Sequence, residues 1–335
     1  MKRILVTGGG LIGARHVRAV QAHPGAELVG LVDPSTNIPT PKGVTRFTDM
    51  AEVTVPVDGV ILATPNQLHA AHGIYAAKRG WHMLIEKPVT NTLGDADALA
   101  AAIAKAGVRS LVGHHRRYHD SFEQLHRMLN GGAIGTPVTA TLIWAMKKPD
   151  DYFNCNWRTT HGSPVLINLI HDIDLLRALL GEVVATAALP GKRLRGSPRA
   201  ESGAVALQFD SGATATISFA DTTPSPWGFE AGTGENPHIG TTGQDMLFIT
   251  GTRGAVSYPS LTLWGHATDW SEAAEIVQPA QRQAPPDPLT KQLTHFLEVI
   301  GGATPRIPVA SARQSLATAL EIERQLQPRK EPSHA

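Results

Sequence analysis

The first part of the chain alternates short apolar runs with longer amphipathic stretches. Short apolar runs between glycine or polar positions are typical of buried strands, and apolar residues at every third or fourth position are typical of helices. The predicted strands cover residues 2–6, 28–32, 59–63, 82–85 and 109–113, and the predicted helices cover 11–22, 67–79 and 93–106. This order predicts a doubly wound α/β domain, with a parallel sheet covered on both faces, over residues 1–118.

After residue 120 the pattern changes to strands without regularly spaced helices between them. The predicted strands are 138–145, 205–209, 213–219 and 246–250, and the predicted helices are 121–129, 164–180, 289–300 and 311–326. Phe209-Asp210-Ser211-Gly212 predicts a hairpin turn, and Ser163 and Gly181 are the expected start and stop signals of the helix between them. We therefore predict an α+β substrate domain over residues 119–335, whose last helices pack back near the first domain. Residues 221–244, rich in Gly, Pro and Thr, predict a long loop.

Composition narrows the class of protein. A chain of 335 residues exceeds one typical core, and its formal net charge of +1 does not favour a nucleic-acid partner. No apolar run is long enough to span a bilayer, and a strand predicted at the first residues leaves no room for a signal peptide. The single cysteine, Cys155, excludes an internal disulfide framework. These features predict a cytoplasmic protein.

The segment Gly8-Gly9-Gly10-Leu11-Ile12-Gly13 follows the first strand and opens the first helix. In this position Gly8 allows a tight turn, Gly10 lets the backbone approach a pyrophosphate and Gly13 lets helix and strand pack closely, while the helix N-terminus attracts the phosphates. Asp33 follows the second strand, where its carboxylate suits the ribose hydroxyls and would repel a 2′-phosphate. The pattern predicts NAD as cofactor, with NADP less favoured. A plain glycine turn and a solvated Asp33 are the alternatives.

Two further segments end predicted strands at the same edge of the sheet. Ala63-Thr64-Pro65-Asn66 follows the third strand, although Asn66 could equally cap the next helix. Glu86-Lys87-Pro88 follows the fourth, where a lysine beside a nicotinamide could exchange a proton with a substrate oxygen. The alternative interpretation is a surface lysine that pairs with a carboxylate.

The helix beginning at Ser163 is apolar almost all round, which predicts that it is buried. Asn168, His171 and Asp172 nevertheless share one stripe of it, and buried polar groups need partners or a cavity. His171 could take the hydroxyl proton with Asn168 orienting the substrate or the imidazole. A core histidine satisfied by hydrogen bonds is the alternative.

Taken together, these motifs resemble the glucose–fructose oxidoreductase/inositol dehydrogenase/MocA (Gfo/Idh/MocA) family. The resemblance extends over G-x-G-x-x-G-x-x-H ending at His16, over the segments named above, and over Gly113 to Tyr118, Trp157-Arg158 and His171-Asp-Ile-Asp174. It implies a Rossmann domain, a large open-faced and mostly antiparallel C-terminal sheet, and homodimers or homotetramers formed through that sheet. It implies hydride transfer to or from a hydroxyl-bearing carbon, commonly on a sugar or cyclitol, with Lys87 and His171 as acid–base residues.

One position departs from the family pattern. Many members carry Asp four residues before the histidine, and this chain has Ile167 there, so Asn168 or Asp172 would have to support His171. The complete set of predicted cofactor-binding residues is Gly8, Gly10, Leu11, Ile12, Gly13, Asp33, Thr64, Pro65, Asn66, His69 and Glu86. The predicted substrate-binding residues are His114, His115, Trp157, Arg158 and Asp172. His115 and His119 have spacing that could hold a metal, but no third ligand is near, and we predict none.

The leading hypothesis is an NAD-dependent dehydrogenase acting on a secondary hydroxyl of a sugar, sugar acid or cyclitol. One alternative is an enzyme of the same kind for a non-carbohydrate substrate such as a dihydrodiol. The other is a non-catalytic NAD-sensing regulator of the same fold. The small-molecule substrate is expected to be the partner, with neither nucleic acid nor membrane involved.

Overall fold

A computed structural model describes residues 1–154, 162–280 and 287–327. The chain forms two compact units, each with its own internal packing. One unit comprises Met1–Tyr118 and Asp287–Leu316, and the other comprises His119–Pro286 and Ala317–Ala335. The segment 287–316, which the sequence analysis assigned to the second domain, is therefore grouped with the first unit.

The first unit is built on a six-stranded parallel sheet. Its strands are β1 (Lys2–Thr7), β2 (Ala26–Val32), β3 (Arg46–Phe47), β4 (Gly59–Leu62), β5 (His82–Ile85) and β6 (Ser110–Val112). They lie in the order β3-β2-β1-β4-β5-β6, the order of a dinucleotide-binding doubly wound sheet. Ile4, Leu5, Val60, Ile61 and Leu84 are fully buried, as expected for strands covered on both faces. The predicted Rossmann fold is confirmed.

Helices connect these strands. They are α1 (Leu11–Ala22), α2 (His69–Lys78) and α3 (Leu93–Ala106), with a short 3₁₀ turn at Asn66–Leu68 before α2. Thr92 caps α3 by accepting a hydrogen bond from the Asp95 N–H (3.1 Å), and Gly107, with φ of 66°, ends it. A further helix, Pro288–Ile300, packs against α1 in the same unit. Because the strands are parallel, their carboxyl ends and the loops that follow them share one edge, which is where ligands bind in such sheets.

The second unit contains, among its described residues, an eight-stranded sheet. Its strands are 137–145, 183–190, 202–209, 214–220, 247–251, 254–258, 263–265 and 275–278. Only strands 137–145 and 214–220 pair in parallel, and the other neighbouring pairs are antiparallel. In 214–220 Ala215, Ile217 and Phe219 are buried while the alternate residues are exposed. The sheet therefore has one buried and one open face, and the predicted fold class is confirmed.

In this unit the structure confirms the predicted hairpin but contains strands and a short helix that were not predicted. The turn Phe209–Gly212 joins two antiparallel strands, with Gly212 at φ of 86°, so the hairpin prediction is confirmed. Strands 183–190, 254–258, 263–265 and 275–278 were not predicted. The prediction of an unstructured loop over 221–244 was wrong in part, because Phe229–Thr233 forms a short helix and Phe229 is fully buried. Phe229 supplies the apolar surface that anchors this segment.

Across the described ranges, no helix is both long and apolar enough to cross a membrane.

Candidate active site

The glycine turn between β1 and α1 is shaped for close backbone approach. Gly8 has φ of 93°, and a Cβ there or at Gly13 would collide with backbone atoms of Ala63 or of Gly8. At Gly10, by contrast, an added Cβ would meet no atom within 4 Å, and the next side chain, Leu11, is 74% exposed. The turn and the N-terminus of α1 therefore leave an open surface beside bare backbone N–H groups, which fits a dinucleotide pyrophosphate.

Asp33, at the end of β2, is tied to this turn. Its Oδ2 accepts a hydrogen bond from the Gly9 N–H (2.7 Å), and its Oδ1 accepts one from the Ser35 N–H (2.9 Å). The carboxylate is thus held beside the glycine turn, where the sequence predicted the adenosine ribose. Arg46 of β3, which the sequence analysis missed, donates to the carbonyl oxygens of Asp33, Ser35 and Ile38. Arg46, which is thirteen residues after Asp33 in the chain, thereby fixes the loop that follows β2.

His69 connects two loops at the carboxyl edge of the sheet. It is 1% exposed, and its two ring nitrogens lie 2.9 Å from the carbonyl oxygens of Thr64 and Pro88. Burial lowers the pKa of His69 below its usual value, although both carbonyls favour the protonated ring. The ring therefore joins the loop after β4 to the loop after β5. Asn66 makes no side-chain cap at the following helix, so its predicted capping role is wrong.

Glu86 and Lys87 end β5, as predicted. The Glu86 side chain is buried, and its Oε1 accepts a hydrogen bond from His16 Nε2 (2.8 Å), while its Oε2 accepts one from the Lys87 N–H (3.1 Å). Burial alone would raise the pKa of Glu86, but the hydrogen bond from His16 and the charge of Lys87 help lower it to about 2. Glu86 is therefore an ionised carboxylate that fixes the backbone carrying Lys87. The Lys87 side chain is partly exposed, and the Lys87–Pro88 bond is cis.

The segment after β6 carries the two predicted substrate-binding histidines. His114 and His115 are 1% and 7% exposed, and both belong to the first unit. Gly113, just before them, faces the Glu86 carboxylate, and a Cβ added there would lie 3.0 Å from Glu86 Oε1. The structure thus brings the chain around residue 113 against the Glu86 carboxylate.

In the second unit, His171 lies near the start of a helix with an unusual first turn. Residues Val165–Leu169 form a π-helical turn, and Ile170–Leu180 continues as an α-helix. Ser163 starts the segment by accepting a hydrogen bond from the Leu166 N–H (3.1 Å), so its predicted cap is confirmed. Such π turns within helices occur frequently at functional sites. The prediction of a single stripe assumed α-helical spacing, which does not hold through Asn168.

The polar residues of this helix are held inside the unit. His171 is 4% exposed, and Asp172 and Asp174 are fully buried. Asp174 lies 3.8 Å from the Arg177 guanidinium. The Oδ1 of Asn168 is buried and accepts no hydrogen bond from the described residues. A buried amide oxygen without a donor favours a ligand-facing role for Asn168.

Two predicted substrate-binding residues, Trp157 and Arg158, lie outside the described residues. Within the described ranges, no group of three or more His, Cys, Asp or Glu side chains is arranged to hold a metal ion.

Comparison with known proteins agrees with this architecture. Residues 2–114 match the family model of the GFO/IDH/MocA oxidoreductases with an NAD-binding Rossmann fold, and residues 122–257 match the model of the GFO/IDH/MocA C-terminal domain. The chain belongs to the GFO/IDH/MocA family. It is an NAD-binding oxidoreductase, and the predicted family, enzyme class and cofactor are confirmed.

The relatives described next are 23–28% identical to this chain over the aligned residues. The scyllo-inositol 2-dehydrogenase (NAD(+)) of Bacillus subtilis is 28% identical over 76% of this chain and 78% of its own length. The 4-carboxy-2-hydroxymuconate-6-semialdehyde dehydrogenase of a Sphingobium strain is 24% identical over 68% of this chain and 74% of its own length. The crystal structure of the WlbA dehydrogenase from Bordetella pertussis superposes with a TM-score of 0.78, at 23% identity, over 97% of this chain and 96% of that chain.

Proposed function

We propose that the protein catalyses reversible, NAD-dependent oxidation of a secondary hydroxyl on a sugar, sugar acid or cyclitol. The observation that carries the proposal is the ionised Glu86 beside Lys87. Glu86 fixes the backbone of Lys87 at the carboxyl edge of the parallel sheet. The glycine turn after β1, at the same edge, is open to a dinucleotide. The relative named scyllo-inositol 2-dehydrogenase supports a polyol as the substrate class.

The cofactor would be held by the residues around the glycine turn. The bare N–H groups of Gly10, Leu11 and Ile12 would receive the pyrophosphate, and Asp33 the ribose hydroxyls. Thr64, Pro65 and Asn66 would line the nicotinamide side, with His69 fixing their loop rather than touching the ligand. When bound, the nicotinamide supplies the hydride acceptor or donor.

Lys87 would hold the substrate oxygen and polarise it. An ammonium beside an oxygen stabilises the negative charge that develops as the hydroxyl proton leaves. Glu86 and His16 act through the backbone of Lys87, and we assign them a positioning role.

His171 would take or return the hydroxyl proton, with Asn168 orienting the substrate through its buried amide oxygen. Ile167 replaces the carboxylate that many family members have one turn earlier, so the basicity of His171 would depend on other groups. Asp172, fully buried on the same helix, is the candidate for that support. His114, His115, Trp157 and Arg158 would complete the substrate contacts.

A second candidate is a non-carbohydrate substrate. The relative named 4-carboxy-2-hydroxymuconate-6-semialdehyde dehydrogenase favours it, because that name describes a carboxylated, open-chain compound. The catalytic residues proposed above would act in the same way on either substrate class.

The test is a pair of substitutions with matched controls. Lys87→Met and His171→Gln are each expected to lower kcat by about 100-fold or more, while NADH binding, followed by fluorescence, changes less than about threefold. Lys78→Met, at an exposed lysine of the same unit, should keep wild-type turnover. Turnover of Lys87→Met close to wild type on a panel of polyols, uronates and dihydrodiols would refute the assignment.

A further inference from the structure

A cavity of about 330 Å³ lies within the second unit, beside the π turn that precedes His171. Its wall includes Ser163 and Ile167 from that turn, together with Lys148, Tyr152, Arg195 and Asp221. This volume is in the range of pockets that bind small metabolites. Because Ile167 lies four residues before His171, a ligand in the cavity would reach within about one helical turn of the proposed base.

Lys148 is a largely buried cation in this wall. Its side chain is only 11% exposed, and its Nζ lies 5.0 Å from the ring centre of Tyr152 and 5.6 Å from that of Trp144. Its nearest carboxylate is Asp221, at 3.7 Å. Burial lowers the pKa of Lys148 to about 8, although Asp221 and, more weakly, Glu230 act in the opposite direction. The surrounding protein therefore compensates the buried ammonium only in part.

Arg195 competes for the same carboxylate. Its Nη2 lies 2.6 Å from Asp221 Oδ1, and its guanidinium stacks 4.2 Å from the ring centre of Phe153. The loop that carries Arg195 closes around Glu201, whose carboxylate accepts hydrogen bonds from the N–H groups of residues 194, 195 and 197. Arg195 is thus held in place before any ligand arrives.

Among the described residues that line the cavity, cations outnumber carboxylates. Lys148 and Arg195 are two cations that share Asp221, which is 2% exposed. The third cation of the wall, Arg199, is neutralised by Glu323 at 2.9 Å. Glu230 near Lys148 and Glu201 beneath Arg195 supply further negative charge, so the wall suits a single carboxylate group between the two cations rather than a dianion.

We propose that Lys148 and Arg195 form a subsite for a carboxylate group of the substrate. The inference rests on the proposed function and makes it more specific. The substrate is a sugar acid or a comparable hydroxy acid, whose carboxylate lies between the two cations while its hydroxyl lies toward His171. Asp221 orients the two cations and does not bind the carboxylate itself.

Matched substrate pairs test the inference. D-galacturonate against D-galactose and D-glucuronate against D-glucose differ in the carboxylate, and D-glucose 6-phosphate tests a dianion. We expect the wild type to prefer the uronates in kcat/KM, and Lys148→Met to lower kcat/KM for uronates by about 10- to 100-fold while changing it less than about threefold for neutral sugars. Lys147→Met, at the exposed neighbouring lysine, is the control and should change neither value. Because Arg195 still pairs with Asp221 in Lys148→Met, the fold should be retained, which circular dichroism checks.

Calorimetric titration of the protein with NADH and each uronate separates this inference from the proposed function. Uronate binding that is lost in Lys148→Met supports the subsite, whether or not any compound of the panel is turned over. If no compound is turned over, that result counts against the proposed function alone. Turnover that favours neutral sugars or the sugar phosphate and is unchanged in Lys148→Met overturns the subsite and leaves the proposed function standing. Absence of uronate binding by calorimetry also overturns the subsite.

Discussion

His16 Nε2 lies 2.8 Å from Glu86 Oε1, inside the first unit, with both side chains almost completely buried. Seventy positions separate the two residues in the chain. His16 is in α1, directly after the glycine turn, and Glu86 is next to the proposed catalytic lysine. The cofactor turn and Lys87 are therefore connected through one hydrogen bond.

Substituting His16 tests that connection. His16→Ala removes the donor to Oε1 of the buried Glu86 carboxylate, so we expect a loss of about 3 kcal/mol in unfolding free energy and a fall in kcat. His16→Gln, which keeps an N–H donor, should recover part of both. His23→Ala removes a half-buried histidine just after the same helix, whose ring pairs with Thr294 and the Gly25 N–H, and is the control. Urea denaturation and steady-state kinetics measure the two effects.

The same pair has a defined pH dependence. The pKa of Glu86 is lowered from 4.5 to about 2, so its stabilising contribution is present above pH 4.5 and is lost as the pH falls toward 2. The stability difference between wild type and His16→Ala should therefore be largest near neutral pH and shrink below pH 4.5. A difference that stays constant over this range would show that Glu86 does not depend on His16.

Asp33 is expected to set the choice of cofactor. Asp33→Ala should weaken NAD binding as well as the discrimination between NAD and NADP, because it also removes the acceptor of the Gly9 N–H. Asp33→Asn keeps an acceptor oxygen and removes only the charge, so the ratio of kcat/KM for NAD to that for NADP should fall by about 10- to 100-fold. Asp49→Asn, at an exposed carboxylate of the same unit, should leave the ratio unchanged. A wild type that prefers NADP would contradict the assignment.

The open face of the eight-stranded sheet is expected to join copies of the chain. Thr216 and Thr141 lie side by side on this face, which also exposes 69% of Leu189 and 41% of Phe248. We expect the wild type to be a dimer or tetramer by light scattering, and Thr216→Arg to dissociate it, because a charge would be buried at the contact. Thr54→Arg, at an exposed position of the first unit, is the control. A monomeric wild type would refute this mode of assembly.

The carboxylate subsite predicts a pH effect on specificity. Lys148 faces Asp221, Arg195 and Glu230, and its pKa of about 8 means that the ammonium is charged at pH 7 and largely neutral at pH 9. The ratio of kcat/KM for a uronate to that for its neutral sugar should therefore fall between pH 7 and pH 9. In Lys148→Met the ratio should be flat across this interval, and a parallel fall in that variant would assign the effect to another group.

Much of the first unit could be predicted from sequence, because its strands are continuous apolar runs and its glycine turn has a fixed chain position. Strand 183–190 escaped prediction because its exposed and half-buried residues show no regular alternation. Strands 46–47 and 263–265 are too short to show any period.

Contacts across long chain distances could not be predicted. Nothing in the sequence distinguishes Lys148 from the exposed Lys147. Lys148 meets Asp221 because strands 137–145 and 214–220 pair in register, which places the segments after both strands together. His16 and Glu86 likewise meet only once β1, β4 and β5 have assembled.

The loop closed around Glu201 has an evolutionary consequence. Since its backbone is held by the Glu201 carboxylate and its Arg195 and Arg199 pair with buried carboxylates, we expect mutation to be tolerated best at the positions between these two arginines. Changes at residues 196–198, which line the cavity, would therefore alter substrate preference before they altered the proposed hydride-transfer residues. The loop is therefore the natural first target for redesigning specificity.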